Sequence, residues 1–330
     1  MASSTTDTNL IESLTYISEQ LNRYLSSTIF IFGTVGNILN CLVLYQRTLR
    51  SNPCVVLFLL SSFFGLISIL IGLPTRILAG WHLDPTATID WICKFRAFIV
   101  FSTRTMSIWL ITLATIDRWL ISSINIHYRR MSTLKNVKQG MIVCFFLSIV
   151  SYIHMLYCYG TNPLDGPLPC YAKTIKCRLA TDLIYIFISI TIPLILMIIF
   201  GLMSVSNVYR AHVHAPHMIQ LFNKRNHPGH KQLKSRRIDR RLLRMLLVEV
   251  LILILCCIPQ AIEKLYITFH PFSSRSELED VIKTFLYNIV LLLAFIQNVV
   301  PFYIYTLTGG TIFRKAFMDF IRIFNQRITF

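Results

Sequence analysis

Seven predominantly apolar runs, each about 20 residues long, divide this chain, and nothing else limits its possible folds so strongly. They lie at about 25–46, 54–74, 93–117, 139–159, 181–204, 243–266 and 281–306. Each is long enough to cross a hydrocarbon layer about 30 Å thick at 1.5 Å per helical residue. Inside that layer, backbone amides have no water to bond, so each run is expected to be a helix that satisfies its own peptide groups. The fold class follows: an all-α membrane protein built as a seven-transmembrane helix bundle. The connections are too short for a second folded domain. Hydrophobic residues make up 54% of the chain and charged ones only 14%, which a soluble domain would not require.

The formal net charge of +17 first suggests nucleic acid, but its distribution argues otherwise. Basic residues gather in alternate loops: Arg47 and Arg50; Arg129, Arg130, Lys135 and Lys138; Lys224 to Arg244; and Arg314, Lys315, Arg322 and Arg327. The intervening loops hold Asp84, Asp90, Asp165, Glu277, Glu279 and Asp280. An odd number of spans places all the basic loops on one side. The positive-inside rule makes that side cytoplasmic and the N-terminus external. The expected location is the plasma membrane. The basic excess is expected to meet anionic membrane lipids rather than nucleic acid.

Cysteine positions are consistent with this topology. Cys41, Cys54, Cys144, Cys256 and Cys257 fall within apolar runs, where a free thiol behaves as a small apolar group. Cys93, Cys170 and Cys177 fall at the external, oxidising face. A Cys93–Cys170 bridge would pin the loop before span five over the bundle. Cys177 is an alternative partner for Cys93, or it could pair with Cys158, and sequence leaves the connectivity open.

Charges at membrane depth are costly and are seldom kept without a use. Asp117-Arg118-Trp119 stands at the inner end of span three. Arg104 lies about halfway along the same run, and helical spacing puts it on one face with Arg96, Val100 and Ser107. His154 stands alone in span four, more in keeping with helix packing than with catalysis. No cofactor or metal site is expected, nor an enzyme.

The order of several motifs resembles the class A, rhodopsin-like, G-protein-coupled receptors. Gly36-Asn37 matches the helix-one motif, and Cys93 lies 25 residues before Arg118, as the family's disulfide cysteine precedes Asp-Arg-Tyr. Pro193 and Pro259 match the prolines of helices five and six. Asn298-Val-Val-Pro301-Phe-Tyr-Ile-Tyr305 resembles Asn-Pro-x-x-Tyr, and Phe313-Arg314-Lys315-Ala316-Phe317 resembles the start of a short amphipathic helix 8. Gly72-Leu-Pro74-Thr-Arg76-Ile-Leu and Phe302-Tyr-Ile-Tyr-Thr-Leu-Thr-Gly309 are similar to invertebrate FMRFamide and neuropeptide receptors.

The resemblance implies three regions: 1–24 as an external tail, 25–306 as the receptor domain, and 307–330 as helix 8 and a cytoplasmic tail. It implies an extracellular ligand, a peptide above all, and a heterotrimeric G protein as partners. The switch residues it assigns are Asp117, Arg118, Trp119, Asp239, Pro259 and Tyr305. Asp239, twenty residues before Pro259, would hold Arg118 at rest until helix six swings out about the proline. Val100 stands where aminergic receptors carry an Asp, which argues against a biogenic amine. Arg104, Arg76, Lys264, Tyr266 and Gln297 join it as pocket residues by their height in the bundle. Arg104 would receive a ligand carboxylate or peptide carbonyls, or be a structural residue paired with Glu263 or with carbonyls of the bundle.

The chain also departs from the pattern. Gly65 stands for the sodium-binding Asp, Cys257 for the helix-six Trp and Gly201 for the helix-five Tyr. The helix-four Trp is missing, and Pro301 lies four residues before Tyr305 rather than three. These changes touch activation, not fold. Three other readings stay open: a receptor for a lipid or acidic small molecule, suggested by the basic outer face; a non-signalling decoy, given the lost relay residues; and a channel or transporter. Against the last, the sequence lacks the matched broken helices of transporter repeats.

Overall fold

A computed structural model describes residues 2–46, 52–161, 166–213, 229–270, 277–308 and 318. Seven of its helices are long and apolar enough to span a membrane: Asp7–Leu44, Pro53–Ala79, Asp90–Ser122, Leu134–Cys158, Ile175–Arg210, Met245–Phe269 and Glu277–Thr306. They are called spans one to seven below. Each covers its apolar run from the sequence to within two residues, and all extend past it at one end or both. Span one extends furthest, because the polar segment Ala2–Gln20 is itself helical and joins Ser26–Leu44 through a π-helical turn, Leu21–Leu25.

Local sequence explains the starts and bends. Asn52 caps span two, its Oδ1 accepting from the Cys54 amide at 3.0 Å, and Pro53 follows at the first helical position, where a missing N–H costs nothing. Thr133 and Thr174 cap spans four and five. In span five, Pro193 cannot donate to the preceding turn, and the strain is taken up by a π-helical stretch, Tyr185–Thr191. Span seven divides at Val300, with Glu277–Val299 before it and Pro301–Thr308 after it. Pro259 lies inside the helix Gly229–Phe269.

Span three is the axis of the bundle. It is the most buried of the seven and packs closely with spans two, four and five. Short polar links join the spans, as expected where lipid offers no hydrophobic drive for helix association. Asn37 Nδ2 donates to the Gly33 and Asn298 carbonyls, both at 2.9 Å, joining spans one and seven. Ser61 and Ser107 bond across spans two and three at 2.8 Å. Gly72 lets span two approach span seven closely, since a Cβ there would come within 2.6 Å of the Phe295 ring. The outward faces are apolar: Ile31, Phe32, Val35, Val143, Phe146, Val150, Ile199, Leu202, Leu251 and Leu255 are all exposed. A water-soluble fold would bury such faces, whereas a lipid-embedded one presents them.

Between spans four and five, two strands form a hairpin: β1 (Tyr159–Thr161) pairs antiparallel with β2 (Cys170–Ala172), Gly160 opposite Tyr171. Cys93 is bonded to Cys170, which fixes this hairpin to the head of span three. Cys158 is bonded to Cys177, joining the end of span four to the start of span five. The connectivity that sequence left open is therefore Cys93–Cys170 with Cys158–Cys177. Cys41, Cys54, Cys144, Cys256 and Cys257 are free thiols.

Candidate functional site

Two polar clusters lie at opposite ends of the bundle. The first sits beneath the hairpin and is built from buried cations. Lys264 of span six donates to Asp182 of span five at 2.8 Å, with both side chains at most 1% exposed. Thr268, one turn on, donates to the other Asp182 oxygen. The Lys264 ammonium also faces the rings of Phe101, Tyr171 and Tyr185 at 5.2–5.7 Å. Arg76 is paired with Asp84 at 3.1 Å, and Arg96 donates to the Gly72 carbonyl at 2.9 Å.

Arg104 donates to the Ala294 carbonyl at 2.9 Å and to Cys257 Sγ at 3.8 Å, with its guanidinium over the Tyr185 and Phe295 rings. Of the two structural partners expected for Arg104, the one found is a carbonyl, on span seven; its other hydrogen bond goes to a thiol on span six, not to Glu263. Cys257, at the position of the helix-six Trp, is too short to fill that space, and the guanidinium reaches it.

Tyr171 hangs from the hairpin into this cluster. Its ring lies edge-on to Tyr287 at 6.0 Å, and the Arg178 guanidinium lies 5.1 Å from its centre. Burial holds its phenol well above the usual tyrosine value, so it stays a neutral hydrogen-bond donor at physiological pH. Several buried donors here have no hydrogen-bond partner among the described residues: Nε of Arg76, Arg96 and Arg104, Nε and Nη1 of Arg178, and the Tyr171 hydroxyl. Buried donors are normally satisfied, so a concentration of orphans under one lid marks a place where acceptors belong.

The other expected pocket residues fall in different places. Val100 is buried beside Gly72 and Phe295, lining the helix contact rather than offering a polar group. Gln297 is buried, with its Oε1 unbonded. Tyr266 is the exception: it is exposed and stacks on His270 at 4.8 Å, so span six turns it away from the cluster.

The second cluster surrounds Arg118. The guanidinium meets Asp117 at 2.9 Å and the Asn52 side-chain oxygen at 3.0 Å. Ser132 donates to the other Asp117 oxygen. Asn52 thereby serves as both the cap of span two and an anchor for Arg118. Trp119 packs on Tyr128 and Phe200, at 5.4 and 5.0 Å. Tyr305 lies against Phe58, ring centres 4.9 Å apart, and against the buried Glu249 of span six. Beside Arg118 a cleft of about 650 Å³ is lined by Asn52, Pro53, Ile121, Ile126, Arg129, Arg130 and Ser132. The Asp239 side chain and the segment Phe313–Phe317 lie outside the described residues.

Sequence reasoning missed Asn52, Ser132, Asp182, Arg178 and Glu249. Asn52-Pro53 before an apolar run carries a helix-start signal, and Asp182 and Glu249 are carboxylates inside or beside apolar runs. Arg178 and Ser132 carry no comparable local signal.

Comparison with known proteins adds to this geometry. Residues 36–305 match the family described as 7 transmembrane receptor (rhodopsin family). Over 264 residues the chain is 24% identical to the neuromedin U receptor homolog nmur-2 of Caenorhabditis elegans, covering 76% of this chain and 66% of that protein. It is 23% identical to galanin receptor 2a of Danio rerio over 74% of this chain and 64% of that one. For the pyrokinin-1 receptor of Drosophila melanogaster the identity is 24% over 56% and 43%. The chain thus spans about two thirds of the first two relatives' length and less of the third.

Proposed function

The chain belongs to the rhodopsin family of seven-transmembrane receptors, and we propose that within it the protein binds an extracellular peptide and activates a heterotrimeric G protein. The observation that carries the ligand class is the set of orphaned buried donors under the hairpin. A peptide presents a carbonyl at every residue, and amide carbonyls are the acceptors such donors require. The names of the relatives, receptors for neuromedin U, galanin and pyrokinin, support the same class. Arg104 is the central contact, because the ligand would compete with one backbone carbonyl for it. Arg76, Lys264 and Gln297 border the site, and Tyr171 covers it.

The orientation that supports this reading puts the hairpin outside the plasma membrane and Arg118 inside, with basic loops on the cytoplasmic face. On that face Asp117, Asn52 and Asp239 would restrain Arg118. Ligand-driven change near Cys257 and Pro259 would swing the inner half of span six outward, with Tyr305 and Glu249 repacking. Trp119 would hold span three against span five. The cleft beside Arg118, rimmed by Arg129 and Arg130, would receive the G protein.

The test is expression of the full chain in cells, a panel of amidated neuropeptides, and a readout of G-protein nucleotide exchange. At least one peptide should activate wild type. Arg104→Ala should lower its potency at least tenfold at equal surface expression, the loss of one charge-assisted contact of about 1.5–3 kcal/mol. Normal potency in that variant refutes the pocket assignment. Tight binding without nucleotide exchange marks a decoy, and response only to lipids or small acids marks the second ligand class, which the unbonded arginine nitrogens also suit.

A further inference from the structure

Ser132 holds Asp117, yet its surroundings offer more than that hydrogen bond needs. It follows Arg129-Arg130-Met131, and the pattern Arg-Arg-x-Ser occurs once in the chain. It flanks the C-terminal end of the short helix Ile126–Met131 and stands two residues before the first residue of span four, Leu134. Arg129, Arg130, Met131 and Thr133 are exposed, while Ser132 is half-buried. Its Oγ donates to Asp117, and with both arginines it lines the cleft of about 650 Å³ beside Arg118.

The positive-inside rule alone accounts for arginines in this loop. Their exposure, and the hydroxyl two and three residues after them, add a second use. Exposed guanidinium groups just before a serine complement an enzyme groove lined by carboxylates. The loop can also open. Six residues are too few for a helix stable by itself, and none of Ile126–Met131 is buried. The Ser132 hydroxyl is released by breaking its hydrogen bond to Asp117.

We propose that Ser132 is a phosphorylation site for a serine/threonine kinase that selects basic sequences, and that its phosphate closes the cleft beside Arg118. The proposal rests on the reading that puts this face in the cytosol, where ATP and such kinases are found. In the transfer, Ser132 Oγ attacks the γ-phosphorus of ATP. The new Oγ–P bond forms as the bond from that phosphorus to the β,γ-bridging oxygen breaks. ADP leaves with the electron pair, and the hydroxyl proton passes to a carboxylate of the kinase. The product cannot keep its old contact. It has lost the hydrogen that Asp117 accepted, and it carries about −1.5 to −2 charges beside a carboxylate. Arg129 and Arg130 offer planar, charge-assisted partners on the same cleft. Held there, the phosphate fills the space and neutralises the basic rim proposed to receive the G protein.

The test incubates the purified full chain in lipid nanodiscs with magnesium ATP and the catalytic subunit of cAMP-dependent protein kinase. Fragment mass mapping should place a phosphoryl group on Ser132, and Ser132→Ala should lose it. Arg129→Gln/Arg130→Gln should slow incorporation at least about tenfold with unchanged thermal unfolding, because both side chains are exposed. Phosphate found only on Thr133 or elsewhere, or an equal rate in the double variant, overturns the site. Phosphorus-31 NMR then reads where the phosphate lies. Paired with the arginines, it should ionise at lower pH than in the unfolded chain, whereas beside Asp117 it would ionise at higher pH. Nucleotide-free G-protein heterotrimers, one for each Gα class, should bind the phosphorylated chain at least about tenfold more weakly than the phosphatase-treated chain. No downward shift, or equal binding, overturns the closure. A phosphatase-treated chain that binds none of the heterotrimers refutes the coupling reading instead, and the mapping and NMR results still decide this one.

Discussion

Removing Lys264 tests the physics of the cationic cluster most directly. Its ammonium and the Asp182 carboxylate are 2.8 Å apart and almost wholly removed from solvent. Breaking a buried pair by deleting one partner typically costs about 3–5 kcal/mol, because the other charge stays buried without compensation. Lys264→Met leaves Asp182 with only the Thr268 hydroxyl, so it should incur that full range. Asp182→Asn should cost less. Its amide oxygen can still accept from Lys264, and the three aromatic rings at 5.2–5.7 Å still face the ammonium. Replacing both partners, as Lys264→Met/Asp182→Leu, should recover most of the loss, since apolar pairs commonly match or exceed a buried ion pair. The free thiols supply the assay. Cys54, Cys144, Cys256 and Cys257 are buried and react with a thiol-selective dye only as the bundle opens. At about 2 °C per kcal/mol for a large chain, Lys264→Met should lower the midpoint by roughly 6–10 °C. A drop under about 2 °C, or a double variant as unstable as the sum of the singles, refutes the reasoning.

Three more outcomes follow from the geometry. The Cys158–Cys177 bridge closes a 19-residue separation and Cys93–Cys170 one of 77, so loop entropy assigns about 3 and about 4.5 kcal/mol to them. Double-serine variants should therefore lose midpoint temperature in that order, and the reverse order counts against the entropic account. Asn52→Ala removes a helix cap worth about 0.5–2 kcal/mol and frees one side of Arg118, so basal nucleotide exchange should rise severalfold while Asn52→Asp stays near wild type. Equal basal exchange in all three removes Asn52 from the restraint. Asp239→Ala should likewise raise basal exchange, and unchanged basal activity at equal surface expression removes that carboxylate from the lock.

Backbone architecture was readable because a lipid-spanning helix imposes both a length and a composition on its sequence. The ends were less readable. Span one continues through polar residues because Ser18 and Asn22 pack within the protein, and nothing in a hydropathy pattern marks that. Side-chain direction was harder still. Span six is apolar around much of its circumference, so its sequence gives no phase, and Tyr266 points outward although Lys264, Ile267 and Thr268 are buried. Arg118 was readable from cost and spacing, whereas its partner Asn52 lies 66 residues away in sequence. Likewise Lys264 was visible as a charge in an apolar run, but the 82 residues separating it from Asp182 hid what neutralises it. Pairings of that kind are products of packing between spans.

The long first span also bears on kinetics. Its helix Asp7–Leu44 runs 38 residues, about 57 Å at 1.5 Å per residue, against a hydrocarbon layer of about 30 Å. Nearly half its length is surplus to crossing, and that surplus is the polar part beside span seven. Among the described residues no other span carries so long a polar extension on the hairpin side. On the proposed peptide-receptor reading, a ligand arriving on the hairpin side would meet a wall on one flank, and productive collisions would come from a restricted range of angles. Shortening that wall should speed association from that flank, yet it should also speed departure of whatever leans on it. On that reading residence time and capture rate would both depend on one helix, and they would trade against each other with its length.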